Sequence, residues 1–517
     1  MDKVLVRELP IKSTIRQSDY FVAEDDDGTK LVQFKDMINL TKSNLYAQSV
    51  EDMKNTTYQE GDIVETLGYY EPNDGGAAKY LIVYAPTDLQ DGVLIHYLKT
   101  SDTLRAHLMH DGNISVLQGG VRGNGVVDDT EALTKVLSLP YNITIPPKTY
   151  KVTSPISIKS DKVVNLNNAT IINETSACIE IGYDEPVSNV CIKNGILKGT
   201  TGIEIHKNAN NINIEDCIFK SSNLEDVAGI VVNGEGKIMI SNCLFTDLDN
   251  YGIEIGPSGS DQSITKSNIV INHVNISAKN TCIRLSNVTG KRSVIISNSV
   301  LSGVGSTCIG IYMMSDKDTV SISNCNLLGL NKGIAVAGLV DVVSNIDDII
   351  CEDTDILYDF ASSDAKIQLT GLHRMIAKDA TTCYLFDAMA SKLYSSAEFD
   401  LLATSPAKIN SNKQAPIGSL VDYKDIGALN PIVITALTQL EDSSIVPGYK
   451  NIVLSVEVSG TISRIGHSSI NGQVLYLYSP NGAIVSSQSI DVGSNVTLNK
   501  YTPLILKNKN GKWTRIG

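Results

Sequence analysis

Carboxylates, one histidine and one arginine recur at the same place in a short repeated motif. The motif reads CIEI (178–181), GIEI (202–205), GIVV (229–232), GIEI (252–255), CIRL (282–285), CIGI (308–311) and GIAV (333–336). If Ile203 and Ile205 face inward, period-2 alternation turns Glu204 and His206 outward. The outward column then runs Glu180, Glu204, Val231, Glu254, Arg284, Gly310 and Ala335. Two residues further along lie Gly182, His206, Asn233, Gly256, Ser286 and Tyr312. Strands stacked at about 4.8 Å would set Glu180 and Glu204 about 5 Å apart, near the separation of a retaining glycosidase pair. Glu204 and Glu254, two repeats apart, would be nearer the inverting separation, and like charges at such range push one pKa upward. Glu180, Glu204, Glu254 and His206 are therefore candidate catalytic groups, with His206 an alternative base beside Glu204. Arg284, Tyr312 and Asn233 are candidate substrate-binding groups, Arg284 for a uronate or phosphate. The same column has a plain structural reading, because a solvated sheet face carries polar residues at alternate positions without any chemistry.

The elements that would position these residues are repeats. A second motif contains Asn168, Asn194, Asp216, Asn242, His273, Asn298 and Asn324, with steps of 26, 22, 26, 31, 25 and 26 residues. Each follows an alternating apolar run, such as INIEDCIF (212–219) or VSISNCNL (320–327). A period near 26 is too short for a propeller blade and lacks the helical half of a leucine-rich repeat, which leaves a parallel β-helix. Ile203, Ile205, Ile230, Val232, Ile253 and Ile255 are expected to form inward aliphatic stacks, and the Asn column a buried turn ladder. Cys178, Cys217, Cys243, Cys282, Cys308 and Cys325 occupy small-residue positions and read as buried small hydrophobes.

Composition bounds the alternatives. The 517 residues are 42% hydrophobic, and only 29 are aromatic (7 Phe, 21 Tyr, 1 Trp). Charged residues are 19%, so the chain is globular and rich in short strands and turns. With 57 acidic against 43 basic residues the net charge is -14, which argues against a nucleic-acid partner. No run of 18 apolar residues predicts membrane insertion, and the start MDKVLVRELPIKSTIRQSDY lacks the apolar core of a signal peptide, so the expectation is synthesis in a cytoplasm without export by a signal peptide. The nine cysteines show no CxxC, and no metal or cofactor is expected. His107 and His110 form an HxxH without a Glu in context, and Asp25–Gly28 lacks calcium-loop spacing, so both read as surface turns.

Residues 119–152 look like the cap that the end of a solenoid needs. Asp128 and Asp129 are plausible helix N-caps, followed by Ala132, Leu133, Val136 and Leu137 on one face. Here GNGVVDDTEAL followed by ITIPPKTYKV resembles the start of the pectate-lyase-like right-handed β-helix proteins, which include many bacteriophage tailspikes. EGDIVETLGYYEPNDGGAAKYLIVY (60–84) is similar to a segment that often precedes it in tailspikes and preneck appendages, and SDYFVAEDDDGTKLVQFKDM (18–37) resembles their N-terminal attachment segments. The resemblance implies an all-β homotrimer in the virion tail, joined to other tail proteins through its N-terminus. It further implies recognition, and for some members depolymerisation, of a bacterial surface polysaccharide or teichoic acid. Lys148 replaces a Gly common after the Pro pair, and the NTD, GHG and RIK motifs of polygalacturonases are absent, as is an Asp column like the calcium site of pectate lyases, so no family active site carries over.

The expected organisation is an attachment segment (1–58), a β-rich connector (59–114), the β-helix with its cap helix (115–375), a linker region (376–430) and a C-terminal antiparallel β domain (431–517), a trimerisation or receptor-binding tip. Within the linker, AEFDLLATSPAKINSNKQAPIGS (397–419) reads as a helix plus a flexible stretch. The alternative function is a non-enzymatic adhesin whose β-helix is only a shaft.

Overall fold

The computed structural model describes residues 45–221, 228–256, 266–286, 291–314, 318–337, 343–360 and 366–376, together with short stretches within 20–33 and 384–515. The chain forms two compact units, Met1–Arg122 with Leu139–Thr144, and Gly123–Ser138 with Ile145–Gly517.

In the first unit a five-stranded sheet runs in the order Leu45–Ala47, Ile63–Thr66, Ala78–Tyr84, Ser101–Leu108 and Ile95–Leu98. A short helix, Val50–Asn55, is capped by Ser49, whose Oγ accepts from the Asp52 N–H. Alternation along Ala78–Tyr84 buries Tyr80 and Ile82 completely. His96 is also fully buried, edge-on to Tyr80 at 5.4 Å, and neither ring nitrogen meets a hydrogen-bond partner. Burial pushes its pKa down to about 4, with nearby Lys54 adding to the effect. Of the HxxH residues, His107 Nε2 lies 3.2 Å from Asp88 Oδ2, while His110 packs its ring on Tyr141. Tyr20–Asp25 pairs antiparallel with Gly28–Gln33; Asp26 and Asp27 lie outside the described residues.

The second unit is a parallel β-solenoid of about ten turns. Its helix Thr130–Ser138 buries Leu133, Val136 and Leu137, with Ala132 only half-buried. The cap carboxylate is Asp128, which accepts from the Thr130 N–H at 3.0 Å, while the Asp129 carboxylate is buried and accepts from Gly123.

Each turn contributes to three ladders. In the first, Ile212, Ile238, Ile269, Val294 and Val320 are in register on consecutive turns. The second stacks Leu197, Phe219, Phe245, Ile276 and Leu301, with the two Phe rings 4.7 Å apart and nearly parallel. The third carries the expected inward stacks, Ile203–Ile230–Ile253 and Ile205–Val232–Ile255, all buried. Like residues touch at every turn because parallel register repeats each coil on the last.

The Asn column differs from expectation in burial. Asn168, Asn194, Asp216, Asn242, His273, Asn298 and Asn324 all adopt positive φ, between 50° and 62°, and on the next two turns Asp348 has φ 48° and Gly371 φ 74°. The side chains are exposed, apart from half-buried Asn194, and one hydrogen bond found between successive members is Asn324 Nδ2 to Asn298 Oδ1 at 3.4 Å. The column is therefore conserved in type along the coil by backbone conformation, a left-handed corner that Asn and Asp tolerate, and not by a buried amide ladder. The residue after the corner is small because it points inward: a Cβ on Gly195 would lie 2.1 Å from Leu166 Cδ1. Cys217, Cys243 and Cys325 fill the equivalent place, and the eight described cysteines are free thiols, seven of them buried.

Parallel pairing continues beyond Ile376. Glu398–Leu402, expected as helix, is a strand in register with Leu372–Ile376, because the edge of the preceding turn offers a template that outweighs local helix propensity. Residues 410–430 of the expected linker lie outside the described residues. Near the C-terminus, Val474–Tyr478 pairs antiparallel with Leu504–Lys509, and that strand with Lys512–Arg515, where Trp513 is buried.

Candidate functional site

The outward face of the third ladder holds the candidate residues. Ser157, Glu180, Glu204, Val231, Glu254, Arg284, Tyr312, Ala335 and Asp359 are paired in sequence on consecutive turns. One row over come His206, Asn233, Gly256, Ser286, Met314 and Ala337, each N–H donating to a carbonyl of the preceding turn. Here the structure corrects the alignment. Tyr312, not Gly310, stands beside Arg284, and Met314 takes the place expected for Tyr312. The turn carries two extra residues before its strand, and a shift of two leaves the inward alternation intact, so the motif CIGI matched the apolar pattern in the wrong register.

At one end, Glu180 and Glu204 are register neighbours on adjacent turns. Ser157 Oγ donates to Glu180 Oε1. Glu204 Oε1 lies 3.8 Å from His206 Nδ1, while His206 Nε2 is buried without a hydrogen-bond partner. The Tyr183 ring meets His206 edge-on at 4.9 Å and is 62% exposed, presenting an aromatic face beside the carboxylates. Asn233 Oδ1, on the next turn, is likewise buried without a partner.

Two turns from Glu204, Glu254 is only 8% exposed. Ser286 Oγ donates to its Oε1 at 3.2 Å and Arg284 Nη1 stands 3.6 Å from the same oxygen. Arg284 also donates to the Tyr251 hydroxyl and lies over the Tyr251 ring, 4.8 Å from its centroid. Burial raises the Glu254 pKa, and the Arg284 charge and the Ser286 hydrogen bond offset only part of that rise. Further on, Lys332 Nζ pairs with Asp359 Oδ2 at 2.5 Å.

Beneath this cluster lies an ion pair that no sequence pattern signalled. Arg292 and Asp318 have fully buried side chains, joined by Nε to Oδ1 at 3.0 Å and Nη2 to Oδ2 at 2.6 Å. Arg292 also donates to the carbonyls of Ile255 and Ser286, at 2.8 and 2.7 Å. It thus clamps the backbone directly after Glu254 and at the serine that donates to Glu254.

Comparisons with known proteins add likeness of fold. The sequence matches no protein-family profile and no curated protein. Among solved structures, the gp49 tailspike of an Acinetobacter baumannii bacteriophage, described as a capsular polysaccharide depolymerase, is 12% identical at a TM-score of 0.41, covering 75% of this chain and 76% of its own. The enzymatically active domain of tailspike protein 4 from bacteriophage CBA120 is 13% identical at 0.42, with 71% of this chain and 56% of that chain covered. The Streptococcus pneumoniae surface protein and adhesin PfbA is 14% identical at 0.40, with 60% and 99% covered. At this identity and overlap they assign no role to any residue here.

Sequence reasoning brought Glu180, Glu204, Glu254 and Arg284 into one row but missed Tyr183 and Tyr251. Tyr251 stands three residues before Glu254, an odd offset that strict alternation assigns to the opposite face. Tyr183 lies in a turn, where alternation says nothing of direction. Among the described residues no group of His, Cys, Asp and Glu is arranged to hold a metal ion. A groove of about 250 Å³, lined by Asn324, Asn326, Asp348, Ile350, Leu372 and Arg374, contains none of the row's residues.

Proposed function

We propose that the chain is a host-attachment appendage of the tailspike kind, which recognises a bacterial surface glycan along the outward row from Ser157 to Asp359. The observation that carries the reading is the row itself: polar groups stand at seven of nine consecutive turns of a rigid sheet, Tyr312 among them, with Tyr183 and Tyr251 beside the row. A spacing of about 4.8 Å is close to the advance of an extended polysaccharide per sugar unit, and tyrosine faces stack on sugar rings. The resemblance of residues 123–133 and 143–152 to tailspike β-helices supports the same reading, with placement in the virion tail and attachment to other tail proteins through the N-terminus. Ile196, Ile218 and Leu244 form a half-buried outward aliphatic row on consecutive turns of the second ladder, which supports side-by-side assembly as a homotrimer.

A second reading, cleavage of the bound glycan, is favoured by Glu254. Its buried carboxyl holds a proton more readily than an exposed one, as a general acid must, and Glu204 two turns away is near the inverting separation for a base. The full chain should be incubated with a panel of capsular and cell-wall polysaccharides. Capture with shortening of the polymer supports both readings, and capture without shortening supports the adhesin. No capture from any of them refutes the proposal.

A further inference from the structure

The charges along the row bear on which glycans it accepts. One cation, Arg284, stands on it and a second, Lys332, reaches its last member, and both are matched: Arg284 by Glu254 at 3.6 Å and Lys332 by Asp359. The guanidinium of Arg292 is sealed beneath the surface against Asp318. Lys159, near the Ser157 end, pairs with Glu185, and Lys207, in the turn beyond His206, has a partner of its own. Glu180 and Glu204 have no such match. No ion pair from Lys or Arg to either is found among the described residues; Glu180 accepts from a serine, and Glu204 faces an imidazole at 3.8 Å. Four carboxylates thus face two cations over the length of the row, on a chain whose net charge is -14.

We infer that the row selects a glycan whose repeat carries no carboxylate, phosphate or sulfate, and that Glu180 and Glu204 enforce this by favouring neutral or amine-bearing sugars beside Tyr183. The inference rests on the glycan-binding reading and deepens it. A polyanion laid along the row would meet two uncompensated carboxylates on adjacent turns. Each, at about 5 Å from an acidic group in water, weakens binding about fourfold without salt, and the pair lowers affinity by about tenfold at about 0.01 M salt, where the Debye length is about 30 Å. Added salt screens the effect over a Debye length of about 10 Å at 0.1 M. Neutral sugars lose nothing there, because their hydroxyls donate to carboxylates and their apolar faces stack on tyrosine. Amine-bearing sugars gain an ion pair.

The test is an array of polysaccharides in neutral, amino-sugar and acidic sets, probed with the full chain at low and high salt, beside the double variant Glu180→Gln, Glu204→Gln checked for an unchanged melting curve. The expected result is capture from the neutral or amino-sugar sets. The double variant should gain about tenfold for acidic members at low salt, and the gain should vanish at high salt. Preferential capture of acidic polysaccharides by the wild type overturns the inference, and so does a double variant with unchanged discrimination. Capture from no set at all refutes the underlying glycan reading instead.

Discussion

Replacing Arg292 with Met should be among the most damaging single changes in the solenoid. The side chain is fully buried, holds Asp318 by three hydrogen bonds, two from Nε and one from Nη2, and donates to the carbonyls of Ile255 and Ser286. Removing one partner of a buried pair costs about 3–5 kcal/mol, because the remaining charge is left without compensation. The Ser286 carbonyl, which loses this donor, adds about 1–3 kcal/mol where water cannot reach it, while the Ile255 carbonyl keeps the Ser286 N–H. The expected loss for Arg292→Met is therefore about 4 kcal/mol or more, a large part of the 5–15 kcal/mol typical of a folded domain. Asp318→Asn keeps a hydrogen-bond acceptor and leaves both carbonyl contacts in place, so it should cost less. Combining Arg292→Met with Asp318→Leu removes both charges and should recover several kcal/mol relative to Arg292→Met alone. Urea unfolding followed by circular dichroism measures all three. A loss below about 1 kcal/mol for Arg292→Met, or a double variant no more stable than the single one, would refute the assignment of this pair as the clamp under Glu254.

Three further outcomes are expected. His96 has a folded pKa near 4, below its unfolded value of about 6.5, so it binds protons less readily when folded; stability is full above pH 6.5 and falls as pH drops toward 4, by about 3 kcal/mol for that gap. His96→Leu should abolish most of this acid loss in melts at pH 7 and pH 4. Asn242→Ala should cost about 1–2 kcal/mol in urea unfolding while Asn242→Gly is better tolerated, since the position has φ 53° and an exposed side chain. If the chain cleaves its glycan, Glu254→Gln should abolish polymer shortening by size-exclusion chromatography and leave capture intact; retained shortening would remove Glu254 from the chemistry.

Much of the solenoid was legible in the residues, and the reason is redundancy. A strand of four or five residues is ambiguous alone, but seven copies at a spacing near 26 leave few architectures that stack like on like. Parity then assigned the inward Ile and Val of the third ladder and the outward Glu180, Glu204, Glu254 and Arg284 correctly. The same period of two explains the misplaced Tyr312, because a slip by two residues costs the apolar pattern nothing and is invisible without hydrogen-bond register. The Asn column was found but its cause was misread, since a need for positive φ and a need for buried amides select the same residue.

The sequence by itself thus determined the all-β parallel coil, its inward stacks and the row on which the candidate carboxylates stand, all properties of a repeating one-dimensional pattern. Tertiary structure alone decided what surrounds each carboxylate. Glu204 and Glu254 occupy equivalent motif positions, yet one faces an imidazole in the open and the other is buried against Arg284 and Ser286. His206 lies two residues beyond Glu204, whereas the partners of Glu254 come from the next turn, 30 and 32 residues on, above the buried Arg292–Asp318 pair, and contacts between coils depend on insertions whose lengths break the repeat.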